Sequence, residues 1–290
     1  MHIFLTGGFG YVGRAAANEL TRRGARLSVL ARDAAEAARV EAAGWQPVRA
    51  GLDDPAGLAA ACAAADAVVH AAASDAPAFL PINRAAIVAM LAALRPGAGF
   101  VTHAGTLLFG PSAEPQDGAG PLRPPPFLAE RAALDEQIVT ARPDLRVAVA
   151  FAGLVYGGAG AAIPNVYAGA VRALGFAPVP GDGAQAWSTV HVEDWARLIA
   201  DAVERAAPGG RRYIAASGEV TLGEFARRVG AAFGVDARPA DAAALAALGM
   251  FGAALAMPQR FTGRRAVEEL GWRPAQTDLD LALAALAAAR

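Results

Sequence analysis

The sequence predicts an α/β fold: a doubly wound parallel sheet carrying a smaller, mostly C-terminal lobe for substrate. Three observations predict it. Short apolar runs alternate with helical stretches through residues 1–110, a glycine-rich turn follows the first run, and the alternation loosens beyond residue 155. Strands separated by segments of helical length require right-handed crossovers, which place helices on both faces of a parallel sheet.

The apolar runs at 2–6, 26–30, 46–49, 67–70 and 99–102 are the expected strands. Helices are expected between them, over 12–23, 34–43, 55–64 and 81–94. A helix over 127–140 leads into a sixth strand at 146–151. Further on, 157–160 and 178–183 have loop composition, 192–205 and 222–233 are helical, and 212–215 is a short strand. Helices over 239–257 and 282–289 complete the expectation.

A length of 290 residues suits one large α/β domain with an added lobe. With 55% hydrophobic and 18% charged residues the chain is globular rather than disordered. A formal net charge of -1 offers no basic surface to nucleic acid, so no such partner is expected. One Cys and four His exclude a disulfide framework or a cysteine-rich zinc module, and no metal is expected. Cys62, in an alanine-rich helical stretch, has the character of a buried inert thiol. The sequence enters a strand with no charged leader, which predicts a cytoplasmic location. The longest uncharged run, 242–259, contains two Gly and a Pro and suits a buried or substrate-facing helix better than a membrane span. There is no lysine; all 26 basic residues are Arg. Schiff-base chemistry on a lysine is therefore excluded.

Thr6-Gly7-Gly8-Phe9-Gly10-Tyr11-Val12-Gly13 links the first strand to the first helix. In a Rossmann-type unit Gly7 permits the tight turn, Gly10 lets backbone approach a pyrophosphate, and Gly13 packs helix on sheet. Phosphate then meets the free N–H groups and positive dipole end of the helix. At the tip of the second strand stands Arg32, suited to a 2′-phosphate, with Asp33 beside it as the residue that would serve NAD if the register moved by one. Arg14 is a second candidate cation for that phosphate. The expected cofactor is NADP(H) ahead of NAD(H). Its expected binding residues are Gly7, Phe9, Gly10, Tyr11, Val12, Gly13, Arg32, Leu52, Ala71, Ala72, Ala73 and Arg131. Residues 1–155 form the expected dinucleotide domain, with 185–217 returning to it; 156–184 and 218–290 form the substrate lobe.

The Thr-Gly-x-x-Gly-x-x-Gly spacing resembles the short-chain dehydrogenase/reductases, specifically their extended and atypical branches, the NAD-dependent epimerase/dehydratase-like proteins. Four further segments resemble family motifs in the family's order: Ala67–Ala73, Phe100–Gly110, Gly153–Gly157 and Val190–Asp194. Glu269–Pro274 resembles the C-terminal signature. The resemblance implies a Tyr and a Lys one helical turn apart, the Lys lowering the Tyr pKa while the Tyr delivers a proton. Here those positions hold Phe127 and Arg131, and the fifth-strand hydroxyl position holds Gly105. Phe127 has no proton to give, so the family's proton relay is absent as written.

Four residues are candidate substitutes. Arg131 can still hold a ribose, and His103 titrates near neutral pH at the C-terminal edge of the sheet. Thr106 can orient a carbonyl, and Tyr156 follows the sixth strand near the expected nicotinamide end. Each also has a structural role available: a cap or core histidine for His103, a packed ring for Tyr156. The functional expectation is an NADP(H)-dependent oxidoreductase with a non-standard proton donor, acting on a small or hydrophobic carbonyl, enone or imine-like substrate. The alternatives are a non-catalytic NADP(H)-binding sensor or scaffold and a redox-neutral epimerase or lyase on the same fold. A small molecule is the expected partner, no membrane is expected, and homodimer formation is left open.

Overall fold

The computed structural model describes residues 1–73, 78–249, 251–276 and 278–289. Its first half alternates strand and helix: β1 (His2–Thr6), α1 (Tyr11–Arg22), β2 (Arg26–Ala31), α2 (Ala34–Ala42), β3 (Gln46–Arg49), α3 (Pro55–Ala63), β4 (Ala67–His70), α4 (Phe79–Ala93) and β5 (Gly99–Gly105), with α5 (Ala129–Thr140) following. These strands join Arg146–Ala152 and Gly209–Ala215 in one seven-stranded sheet. Its order is Gly209–Ala215, Arg146–Ala152, β5, β4, β1, β2, β3, and every neighbouring pair is parallel. Strands covered on both faces have no polar side to alternate with, which is why Ala67-Val-Val-His70 is buried throughout. One face packs on α1, α2 and the helix Val192–Arg205, the other on α3, α4 and α5. Strand order reverses between β1 and β4, so a crevice opens above their C-terminal ends.

Local chemistry sets several boundaries. Asp33 and Asp54 cap α2 and α3 by accepting from the N–H groups of Glu36 and Gly57 at 2.8 and 2.9 Å. The expected helix over 127–140 is in fact a 3₁₀ turn, Pro126–Leu128, followed by α5 from Ala129. Pro124-Pro125-Pro126 is the reason: Pro125 is extended (φ −58°, ψ 154°), and a residue before proline avoids helical backbone.

The second half builds a smaller layer that periodicity did not reveal. Gly218–Thr221, Ala186–His191, Gln259–Phe261 and Ser112–Gln116 form a sheet in that order, with Leu154–Tyr156 also paired to Ala186–His191. Ala177–Val179 pairs with Ala237–Pro239, so the expected 178–183 loop begins inside a strand. The expected helix over 239–257 is broken into Ala242–Ala247 and Phe251–Ala254, with Gly249 left-handed between them at φ +59°. Among the described residues no helix is long and apolar enough to cross a membrane. Tyr167, Trp187 and Phe225 centre the core of this layer.

The C-terminal segment is fastened by one carboxylate. Asp194, fully buried, accepts from the N–H groups of Ala275 (2.8 Å) and Gln276 (2.9 Å) and pairs with Arg197. The Trp272 indole donates to the Asp194 carbonyl at 2.9 Å.

Candidate active site

Above the reversal point lies a cleft of about 920 Å³, floored by the glycine turn and by Ala71, Ala72 and Ala73. Gly7 has φ +70°, and a Cβ there would lie 2.6 Å from the backbone of Ala71 and Ala72. A Cβ on Gly13 would overlap the Gly7 carbonyl oxygen, so α1 can start this close to the turn only with glycine. Gly10 is different. Its own Cβ would sit 3.2 Å from that oxygen, tight but short of overlap, and among the described residues no side chain caps the first N–H groups of α1. Those N–H groups of Tyr11 and Val12 open onto the cleft, which suits a bound anion. The Tyr11 ring packs on Gly160 and its hydroxyl donates to the Gly157 carbonyl at 2.5 Å. The turn is thereby tied to the loop after the Leu154–Tyr156 strand.

Behind Ala71–Ala73 runs a buried polar chain. His70 Nε2 donates to Asn83 Oδ1 at 2.7 Å, Nδ1 accepts from the Thr6 hydroxyl at 2.8 Å, and that oxygen accepts from the Ala72 N–H at 3.3 Å. β1, β4 and α4 are locked together by it, which orients the alanine backbone along the cleft.

The cleft's two ends differ. Arg32, Glu36, Arg39, Leu52 and Asp53 border one. Arg32 pairs with Glu36 through its guanidinium and its backbone N–H, the latter at 2.9 Å. Asp33 is engaged in capping α2. Phe79, Ile82 and His103 border the other end. The His103 ring meets Trp195 edge-on with centroids 5.3 Å apart, and its carbonyl accepts from Arg131 Nη2 at 2.7 Å. Arg131 also contacts the buried Asp135, whose carboxyl burial pushes upward in pKa.

Residues 3–216 match the model of the NAD dependent epimerase/dehydratase family. The chain belongs to that family. No curated protein matches it. Among solved structures, a nucleoside-diphosphate-sugar epimerase from Pseudomonas aeruginosa is 22% identical, with 98% of this chain and 95% of that one covered at a TM-score of 0.76. A UDP-glucose 4-epimerase from Brucella ovis in complex with NAD is 20% identical, covering 99% and 97% at a TM-score of 0.76. A dTDP-glucose 4,6-dehydratase from Streptomyces venezuelae, with NAD bound, is 22% identical, covering 99% and 96%, also at 0.76. At these identities the likeness is one of fold.

This member of the epimerase/dehydratase family departs from the sequence expectation at three candidate residues. Tyr156 is not at the cleft: its hydroxyl donates to the Gln276 carbonyl at 3.1 Å and its ring packs edge-on against His191. A partner 120 residues away fixes it. Thr106 is buried in the 3₁₀ turn Thr106–Phe109, its hydroxyl without a partner among the described residues and near Gly153 rather than at the cleft. Arg131 lies under β5 and holds the His103 carbonyl instead of bordering the cleft. Phe127 is 58% exposed. Arg14 borders a neighbouring hollow between α1 and the helix Val192–Arg205. Of the candidate catalytic residues, His103 alone borders the cleft among the described residues. Glu36, Arg39, Asp53, Phe79 and Ile82 were not singled out by sequence; the i,i+3 spacing of Glu36 and Arg39 on α2, just after Arg32, was the available signal.

Burial pushes the His70 ring down to about 4 and the His103 ring likewise to about 4, the positive charge of Arg131 adding to both. Both rings are therefore neutral at pH 7. The unfolded chain binds their protons first, so stability falls as pH drops from about 6.5 to about 4, by a few kcal/mol for each ring. Thermal unfolding across that range is expected to show the decline, and His70→Gln is expected to flatten it while lowering stability at pH 7. A variant profile parallel to the wild type would exclude His70 as a source.

Proposed function

We propose that this chain is an NADP(H)-dependent oxidoreductase that acts on a small or hydrophobic carbonyl, enone or imine-like substrate. One observation carries the reading: a single cleft runs from paired guanidinium groups, past an anion-ready helix start, to a neutral histidine flanked by apolar side chains. The residues present fit a dinucleotide. Tyr11 and Val12 N–H groups would hold the pyrophosphate, the end of the cleft bordered by Arg32 and Arg39 would take a 2′-phosphate, and Leu52 would lie against the adenine. When bound, the nicotinamide supplies hydride chemistry.

The chain's own part is positioning. Ala71–Ala73 are held by the Thr6–His70–Asn83 chain and form a rigid wall. Phe79 and Ile82 place apolar side chains at the far end, which favours an apolar acceptor. His103, neutral at working pH, orients a substrate oxygen or nitrogen by hydrogen bonding rather than acting as a cationic acid. Water then supplies the proton, which suits acceptors needing little acid assistance.

The test is NADPH oxidation followed by absorbance across a panel of ketones, enones and imines. Substrate-dependent oxidation is expected, and His103→Phe should lower kcat by about 100-fold with NADPH affinity kept. Silence across the panel by a protein that still binds NADPH would overturn the reading.

A further inference from the structure

Resting on the NADP(H) reading, we infer that Arg39, held on the ring of Phe9, is the residue that discriminates the 2′-phosphate, and that Arg32 at the strand tip is not. Arg32 looks better placed by sequence, since it directly follows β2. Its charge, however, is already matched: both its guanidinium and its backbone N–H are bound to Glu36, and the side chain is 75% exposed. An exposed, neutralised guanidinium adds little net attraction for an incoming dianion.

Arg39 is exposed as well, but its charge is unmatched. Among the described residues it makes no ion pair and no side-chain hydrogen bond, so its five N–H donors are open. It borders the cleft, and its guanidinium carbon stands 4.2 Å from the centroid of Phe9. That ring belongs to the glycine turn itself. It packs against Trp45 with centroids 5.8 Å apart, so it is a fixed platform. A guanidinium stacked on a fixed ring has already lost much of the rotamer freedom that binding would otherwise remove. Phe9 also borders the adjoining hollow, on whose side Arg14 lies 5.6 Å from the same ring. The ring thus separates Arg14 from the cleft and presents Arg39 to it. Glu36, three residues before Arg39 on α2, acts as the counterweight that keeps Arg32 occupied.

The test compares adenosine 2′,5′-bisphosphate with adenosine 5′-monophosphate by titration calorimetry, which needs no turnover. Wild type is expected to prefer the bisphosphate. Arg39→Ala should weaken the bisphosphate about 10- to 100-fold and the monophosphate little, and Arg39→Lys should recover part of the loss. Arg32→Ala should change the ratio less than about threefold, and Glu36→Gln should raise bisphosphate affinity by freeing Arg32. Phe9→Leu, which keeps an apolar filler, should weaken the bisphosphate alone and so supports the claim even where Arg39 variants unfold. Equal binding of both nucleotides by wild type would remove the NADP(H) reading itself. A wild-type preference that survives Arg39→Ala and disappears in Arg32→Ala would leave that reading standing and overturn the assignment to Arg39.

Discussion

Gly13→Ala is expected to destabilise the protein by about 3 kcal/mol and to weaken dinucleotide binding about 100-fold. The added methyl would overlap the Gly7 carbonyl oxygen, which is backbone and cannot rotate away. The start of α1 must therefore move off the turn, and the N–H groups of Tyr11 and Val12 move with it. Gly10→Ala separates the two effects. Its Cβ would stand 3.2 Å from the same oxygen, a tight contact that a shift of a few tenths of an ångström relieves, so the melting shift should be a few degrees and smaller than that of Gly13→Ala. The methyl points to where a pyrophosphate would approach, so affinity should still drop at least about tenfold. Calorimetric melting alongside NADPH titration measures both. Equal stability of the two variants would contradict the close-packing role given to Gly13.

Asp194→Ala is expected to cost about 3–5 kcal/mol, the range for removing one member of a buried charged network. The substitution strips two backbone N–H groups, those of Ala275 and Gln276, of their acceptor and leaves Arg197 unmatched beside a buried site. Asp194→Asn, which keeps one acceptor oxygen, should fall between variant and wild type. Because the carboxylate fastens Ala275 and Gln276, the variant should also lose its C-terminal segment early in limited proteolysis. A urea midpoint within experimental error of wild type would show that Trp272, still bound to the backbone carbonyl, holds the segment unaided.

Much of the seven-stranded sheet was legible because its signals are local. The five strands to residue 105 and the helices between them follow from runs of buried residues, since a strand covered on both faces has no polar alternation to confuse. The second sheet was illegible for the complementary reason. Ser112–Gln116 and Gln259–Phe261 are short, carry Pro or charge, and become strands only through pairing with distant segments. The alanine-rich 239–257 stretch looked continuous, yet Gly249 in a left-handed conformation divides it.

The candidate site divides along the same line. The glycine turn from Thr6 to Gly13 was determined by sequence alone, because each glycine answers a steric demand within a few residues or from the adjoining strand. His103 was legible as a residue at a strand's C-terminal edge. Tertiary structure alone decided the rest. Tyr156 was drawn away by Gln276, Arg131 was turned under β5 by the His103 carbonyl and Asp135, and Thr106 was buried at the junction of two sheets. Only the packing of α2 against the turn brings Arg39 onto Phe9, thirty residues earlier in the chain. Backbone geometry is written in neighbours, whereas a long polar side chain goes to whichever partner folding delivers, and that partner is usually far away in sequence.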